Sequence, residues 1–147
     1  DLIRLDIGLL TNWYLAEIAR TIVFGKATGK VKRMHSALIK SQEEAIKTIM
    51  PNVRSFEIDS VARNSLRADG FADYYIHSTG HGLNLVNYWQ PTLSAVDNTL
   101  IRPNMALSIE PGIYMEKASS VHVEDAVIVN DDGVEVLTKY PHELEIT

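Results

Sequence analysis

Two glutamates set inside apolar runs limit what this chain can be. Glu17 interrupts the β-branched and aromatic run 13–24, and Glu124 falls among Val121, Val123, Ala126, Val127, Ile128 and Val129. A carboxylate buried in such a strand is costly unless a cation or hydrogen-bond donors meet it. Two more carboxylates end apolar runs: Asp6, just before Gly8, and Glu110, between the run 105–109 and Pro111-Gly112. His81 stands between Gly80 and Gly82. Taken singly, a strand-end carboxylate is ordinarily solvated, and a histidine between glycines is more often a loop residue than a ligand. Taken together, four carboxylates on one small sheet would repel each other unless cations neutralised them. An oxygen-rich set with one imidazole favours Mn, Co, Fe or Zn as the divalent ion.

The remaining pattern is α+β. Residues 2–9 alternate as a half-buried strand, and a short connection near 10–12 pairs them with 13–24 as a hairpin. Residues 25–33, with two glycines among basic residues, read as a loop. The apolar positions Leu38, Ala45, Ile46 and Ile49 predict a helix over 35–50, stopped by Pro51. Ser55 is the expected cap of a second helix that buries Ile58, Val61, Ala62 and Leu66 and stops at Gly70. Short strands are then expected near 74–76, 85–88, 105–109, 121–129 and 134–137, with Asn130-Asp131-Asp132-Gly133 as a hairpin turn. Neither a repeat nor a linker breaks the chain, so residues 1–147 read as one domain.

Composition removes several function classes. The net charge of -5 leaves no basic stripe for nucleic acid, and the four cations of 26–33 make only a solvated run. With no cysteine, disulfides, thiolate nucleophiles and sulfur-ligated zinc are excluded. No apolar stretch approaches the roughly 18 residues of a membrane helix. A cytoplasmic protein is the expectation. The chain also begins directly in a core-like strand, whereas termini ordinarily fray at the surface, which suggests a piece of a longer domain.

Several strings carry a more specific signal. Ile76-His77-Ser78-Thr79-Gly80-His81-Gly82-Leu83 resembles the histidine–glycine signature of Xaa-Pro dipeptidases and aminopeptidases. Met105-Ala106-Leu107-Ser108-Ile109-Glu110-Pro111-Gly112-Ile113-Tyr114 resembles their glutamate–proline–glycine signature, and Val121-His122-Val123-Glu124-Asp125 their closing one. Leu5-Asp6-Ile7-Gly8 and Tyr14-Leu15-Ala16-Glu17-Ile18-Ala19-Arg20-Thr21 resemble the opening pair in order and spacing. The family is that of the pita-bread metallopeptidases, related to methionine aminopeptidase and creatinase. The resemblance implies a curved antiparallel sheet with helices on its outer face, here without its N-terminal portion. It implies a partial catalytic domain that hydrolyses Xaa-Pro bonds of short proline-containing peptides through water activated by two divalent metal ions. The implied ligands are Asp6, Glu17, His81, Glu110 and Glu124. Glu17 and Glu124 would bridge, Glu110 would double as proton shuttle, and His77 would touch the substrate. The missing portion implies association with an N-terminal segment or with another copy of the chain.

Several positions depart from that pattern, among them Asn84 in place of a small glycine and Trp89 in place of a glutamate. Glu17 stands where aspartate is usual, Tyr88 where a histidine supports the tetrahedral intermediate, and His122 where an arginine is usual near the substrate. The hydroxyl of Tyr88 can donate a hydrogen bond, but it cannot become cationic near neutral pH. These departures leave an alternative reading open: a catalytically impaired pita-bread domain that binds protein or peptide. A metal-independent amidinohydrolase similar to creatinase ranks last, because four of the five ligands keep their type.

Overall fold

The computed structural model describes residues 1–83, 90–115 and 119–146. Strands β1 (Leu2–Thr11) and β2 (Tyr14–Phe24) form the expected antiparallel hairpin. Their turn is Asn12-Trp13, both at positive φ (48° and 70°), as a two-residue hairpin turn requires. The register sets Asp6 opposite Ala19 and Gly8 opposite Glu17. Opposed residues share a face, so Asp6, Glu17, Ala19 and Thr21 lie on one side. Leu5, Ile7 and Leu9 lie on the other, where they remain exposed.

Helix α1 spans Gly29–Thr48, longer at its start than its sequence suggests. The segment 25–33 therefore is not all loop. Thr28 caps the helix by accepting from Val31 N (3.3 Å), and the basic residues that follow fill its solvent side. Met34, Ala37, Leu38, Ser41, Gln42 and Ala45 form the buried stripe at helical spacing. Helix α2 (Ser55–Ala68) begins one residue earlier than expected of a capping serine. Ser55 is its first helical residue and donates to Thr99 O, while Glu57 reaches back to Arg54 N to cap the turn. Gly70, at φ +80°, ends the helix as its sequence implies. The two helices pack together, and Ser41 Oγ fastens them by donating to Ala62 O (2.9 Å).

The aromatic run expected as a strand at 74–76 instead follows a 3-10 turn over Ala72–Tyr74. It wraps around Arg63, which donates to the carbonyls of Tyr75 and His77 and so diverts the backbone from sheet pairing. Strands β3 (Gly80–Gly82), β4 (Thr92–Leu93) and β5 (Ala106–Ile109) follow, with β6 (Gly112–Met115) and β7 (Ser119–His122) as a second hairpin. The run 121–129 is not one strand. It breaks at Val123-Glu124, and the chain changes partner there, from β6 to β5, as β8 (Asp125–Val129) begins. Strand β9 (Val134–Val136) pairs with β8 across the expected Asn130–Gly133 turn, and β10 (Glu145–Ile146) returns to β2. Among the described residues the main sheet runs β4-β3-β5-β8-β9, antiparallel throughout.

On β5, Leu107 and Ile109 enter a core shared with Leu38, Ile58, Leu66, Leu93, Ile113, Val121 and Val127. Alternation turns Ser108 to the opposite face. That face receives the acidic residues. Among the described residues, no helix is long and apolar enough to cross a membrane.

Candidate metal centre

The strands bring the separated acids together. His81 pairs with Ser108 across β3 and β5, so both side chains leave the sheet on the same face. Glu110 follows β5 directly. Its N–H donates to Thr79 O (2.7 Å), and Gln42 from α1 donates to Ile109 O (2.9 Å) one residue earlier. Glu124 sits at the break between β7 and β8. Its backbone exchanges two hydrogen bonds with Ala19 of β2, which aligns it beside Glu17.

One candidate ligand atom from each of Glu17, His81 and Glu124 falls within 4.8 Å of the others. The Nδ1–H of His81 donates to Gly82 O (3.2 Å), which leaves Nε2 facing the acids. That nitrogen lies 3.6 Å from Glu17 Oε2 and 3.4 Å from Glu110 Oε1. On the far side of Glu110, His122 Nε2 is 3.7 Å from Glu110 Oε2 and donates to Glu110 O (3.2 Å). His122 Nδ1 lies 3.7 Å from Asp6 Oδ2. The five expected ligands thus form one chain of neighbours, with His122 as the link to Asp6. The longer side chain of Glu17 does not carry its carboxylate away from the cluster.

His77 donates through Nδ1 to Ser78 O, so its Nε2 accepts from the Tyr114 hydroxyl, each at 2.8 Å. Its ring packs edge-on against those of Tyr114 and His122. Burial holds the His77 pKa below the ordinary histidine value. Burial likewise pushes the Tyr114 hydroxyl up to about 12, against the opposing charge of Arg4. Asn84, Tyr88, Trp89 and the strand expected over 85–88 lie outside the described residues.

The acids are short of positive charge. Burial raises the Glu124 carboxyl to about 8; the Ser108 hydroxyl opposes the rise by donating to Oε1 (2.5 Å), while Glu110, Glu17 and Asp6 add to it. Burial also raises Glu17, His81 opposes that rise, and Glu110 and Asp6 reinforce it. Glu17 Oε2 is buried and meets no hydrogen-bond donor among the described residues. A buried carboxylate oxygen without a donor, among three further carboxylates and an imidazole, is a donor set that fits divalent cations. Cations there would relieve both the repulsion and the orphaned oxygen.

A family profile, metallopeptidase family M24, matches residues 1–131. The chain belongs to metallopeptidase family M24. It is 38% identical over 144 residues to the Xaa-Pro dipeptidase of Pyrococcus furiosus, covering 98% of this chain and 41% of that protein. It superposes on the solved prolidase from Pyrococcus furiosus with a TM-score of 0.93 at 37% identity, covering 96% of this chain and 42% of that one. For the Xaa-Pro dipeptidase from Bacillus anthracis the TM-score is 0.95 at 34% identity, covering 99% of this chain and 41% of that one. The chain carries the C-terminal part of the pita-bread fold, as its motifs imply, and spans about 41% of the length of the curated M24 relatives it matches.

Three residues around the acids are not singled out in the sequence. Ser108, Thr21 and Arg20 touch the acids or the backbone that carries them, yet none is a ligand type. Ser108 and Thr21 leave no signal, being ordinary strand residues. Arg20 does leave one: a cation among Ile18, Ala19, Ile22 and Val23 raises the same question as Glu17.

Proposed function

We propose that this chain is the metal-holding part of an exopeptidase that hydrolyses Xaa-Pro peptide bonds with two divalent cations, Mn, Co, Zn or Fe. Asp6, Glu17, His81, Glu110 and Glu124 would hold them, with Glu17 and Glu124 shared between the two. The observation that carries the reading is the buried, donorless Glu17 Oε2, set beside Glu124 and His81. The family supports metal dependence, and the Xaa-Pro preference rests on similarity to the Pyrococcus dipeptidase. When bound, such a pair acidifies water and polarises a carbonyl oxygen.

The chain's own residues then have distinct tasks. Glu110, between His81 and His122, would take a proton and return it to the leaving amine. His77 would face the substrate, its ring orientation fixed by Ser78 O and the Tyr114 hydroxyl. His122 would hold Asp6 and Glu110 in register and contribute to substrate binding. Tyr88 would stand in for the histidine that supports the tetrahedral intermediate. The wall of the cleft opposite these residues would come from a further protein segment or a second copy, and the setting would be cytoplasmic.

The test is metal content. After loading with Mn, Co or Zn, about two ions per chain are expected, fewer in Glu110→Ala, followed by assays on Xaa-Pro dipeptides. Chains that take up no metal under any of these conditions would sink the peptidase reading.

A further inference from the structure

Among the described residues, the hairpin carrying Asp6 and Glu17 is joined to the start of β8 by one backbone bridge, Ala19 with Glu124. Arg20 is locked onto that bridge. Its Nη1 donates to both carbonyls of the pair, Ala19 O at 2.8 Å and Glu124 O at 2.7 Å. Its Nη2 donates to Asp125 Oδ1 (2.6 Å) and Tyr140 O (2.8 Å), and Nε donates to Pro141 O (3.1 Å). All five guanidinium N–H groups are thereby used, at a side chain that is 6% exposed against an Asp125 side chain at 2%. The opposite oxygen of Asp125 accepts from His142 Nε2 (2.8 Å), so the acceptor is itself held from two sides.

We infer that Arg20 is a positioning residue for the metal centre: by clasping the Ala19–Glu124 bridge against Asp125, it fixes the separation of the Glu17 and Glu124 carboxylates and so the affinity for a cation between them. The inference rests on the proposed metal binding. Its physical basis is lever length. Glu17 lies two residues from Ala19 on the same face of β2, and Glu124 is itself the bridged residue. A small slip at the bridge therefore moves one carboxylate relative to the other. A single backbone bridge resists such a slip poorly, whereas a planar fork with five fixed donors resists it well. Partners of this kind around metal ligands typically change metal affinity by ~10–100-fold when altered.

Arg20→Lys keeps the charge but loses the fork, since one ammonium cannot span two carbonyls, a carboxylate and two further carbonyls. Cobalt is the probe, titrated into wild type and Arg20→Lys at a temperature where circular dichroism shows both folded. The expected result is a ~10–100-fold weaker cobalt affinity with an altered visible absorption spectrum in the variant. Asp125→Asn, which retains an oxygen acceptor, should move both readouts in the same direction by less, and it carries the test if Arg20→Lys does not fold. A purely structural role would lower the melting temperature and leave the affinity and spectrum of the folded variant as in wild type, and that result overturns the inference. Failure of wild type itself to take up cobalt overturns the proposed metal centre, and this inference with it.

Discussion

The acidic cluster is assembled from two halves that stand on different foundations. His81, Glu110 and Glu124 come from the sheet that α1 and α2 back, where Leu107, Ile109 and Val127 are wholly buried. Asp6 and Glu17 come from the β1–β2 hairpin, whose other face leaves Leu5, Ile7 and Leu9 exposed. The side chains reflect this: Glu124 is 3% exposed, whereas the Asp6 side chain is 59% exposed. Packed cores transmit small displacements because they lack room to absorb them. The sheet half is therefore preorganised by packing, and the hairpin half depends on a few polar ties. Those ties are the Ala19–Glu124 bridge, the Arg20 clasp, and Thr21 Oγ, which accepts from His122 N and donates to His122 O.

The sharpest contrast comes from one methyl group placed in each half. A Cβ at Gly80 would lie 1.8 Å from Ser108 O, a backbone atom that cannot move without breaking the pairing of β3 with β5. Gly80→Ala is expected to destabilise the fold by about 3 kcal/mol or more, as severe overpacking does, and to displace His81. Urea unfolding reads this directly. A loss below about 1 kcal/mol would mean that the sheet half yields as easily as the hairpin, and the distinction would fail.

A smaller effect comes from charge. In the metal-free chain Glu124 titrates near 8, against 4.5 for an ordinary glutamate. Between those values the folded state holds a proton that the unfolded chain has released, so stability falls as pH rises through this window. Every tenfold difference in proton affinity between folded and unfolded chain is worth about 1.4 kcal/mol, making the full loss on the order of a few kcal/mol. Urea midpoints at pH 5, 6, 7 and 8 should decline in wild type and decline less in Glu124→Gln. A flat wild-type profile would show that the sheet half does not bury its carboxylate at a cost.

The same division explains what is legible in the amino-acid sequence. Hairpin strands are legible because alternation and turn chemistry are local, and β1, β2 and the Asn130–Gly133 turn follow from them. The acids are legible because a carboxylate within an apolar run is conspicuous, and their order matches a known set of motifs. What the sequence hides is partner exchange. Periodicity over 121–129 is uniform, yet the strand must break at Glu124 for the chain to pass from β6 to β5. Aromatic Tyr74 and Tyr75 favour a strand locally, but Arg63 draws the carbonyls of Tyr75 and His77 to itself. The start of α1 is hidden because Lys30, Lys32 and Arg33 suit a loop and an exposed helix face equally. Arg20 is conspicuous as a cation in an apolar run, but its role is hidden: its partners Glu124 O, Asp125, Tyr140 O and Pro141 O lie more than a hundred residues away in the chain.

The smallest expected effect is the counterpart of the first. A Cβ at Gly8 would meet Glu17 Oε1 at 3.7 Å and Glu17 Cγ at 3.8 Å, ordinary contacts with a side chain that can adjust. Gly8 sits in extended pairing opposite Glu17, so alanine needs no unusual backbone and gains slightly in strand propensity over glycine. Gly8→Ala should therefore change stability by no more than about 0.5 kcal/mol, as surface substitutions usually do. Its consequence should appear at the metal instead, because the added methyl packs against the Glu17 carboxylate, whose other oxygen, Oε2, meets no donor among the described residues. A stability loss above about 2 kcal/mol would show that β1 is packed as tightly as β5. The two halves of the site would then rest on equal ground, and Arg20 would have little left to hold.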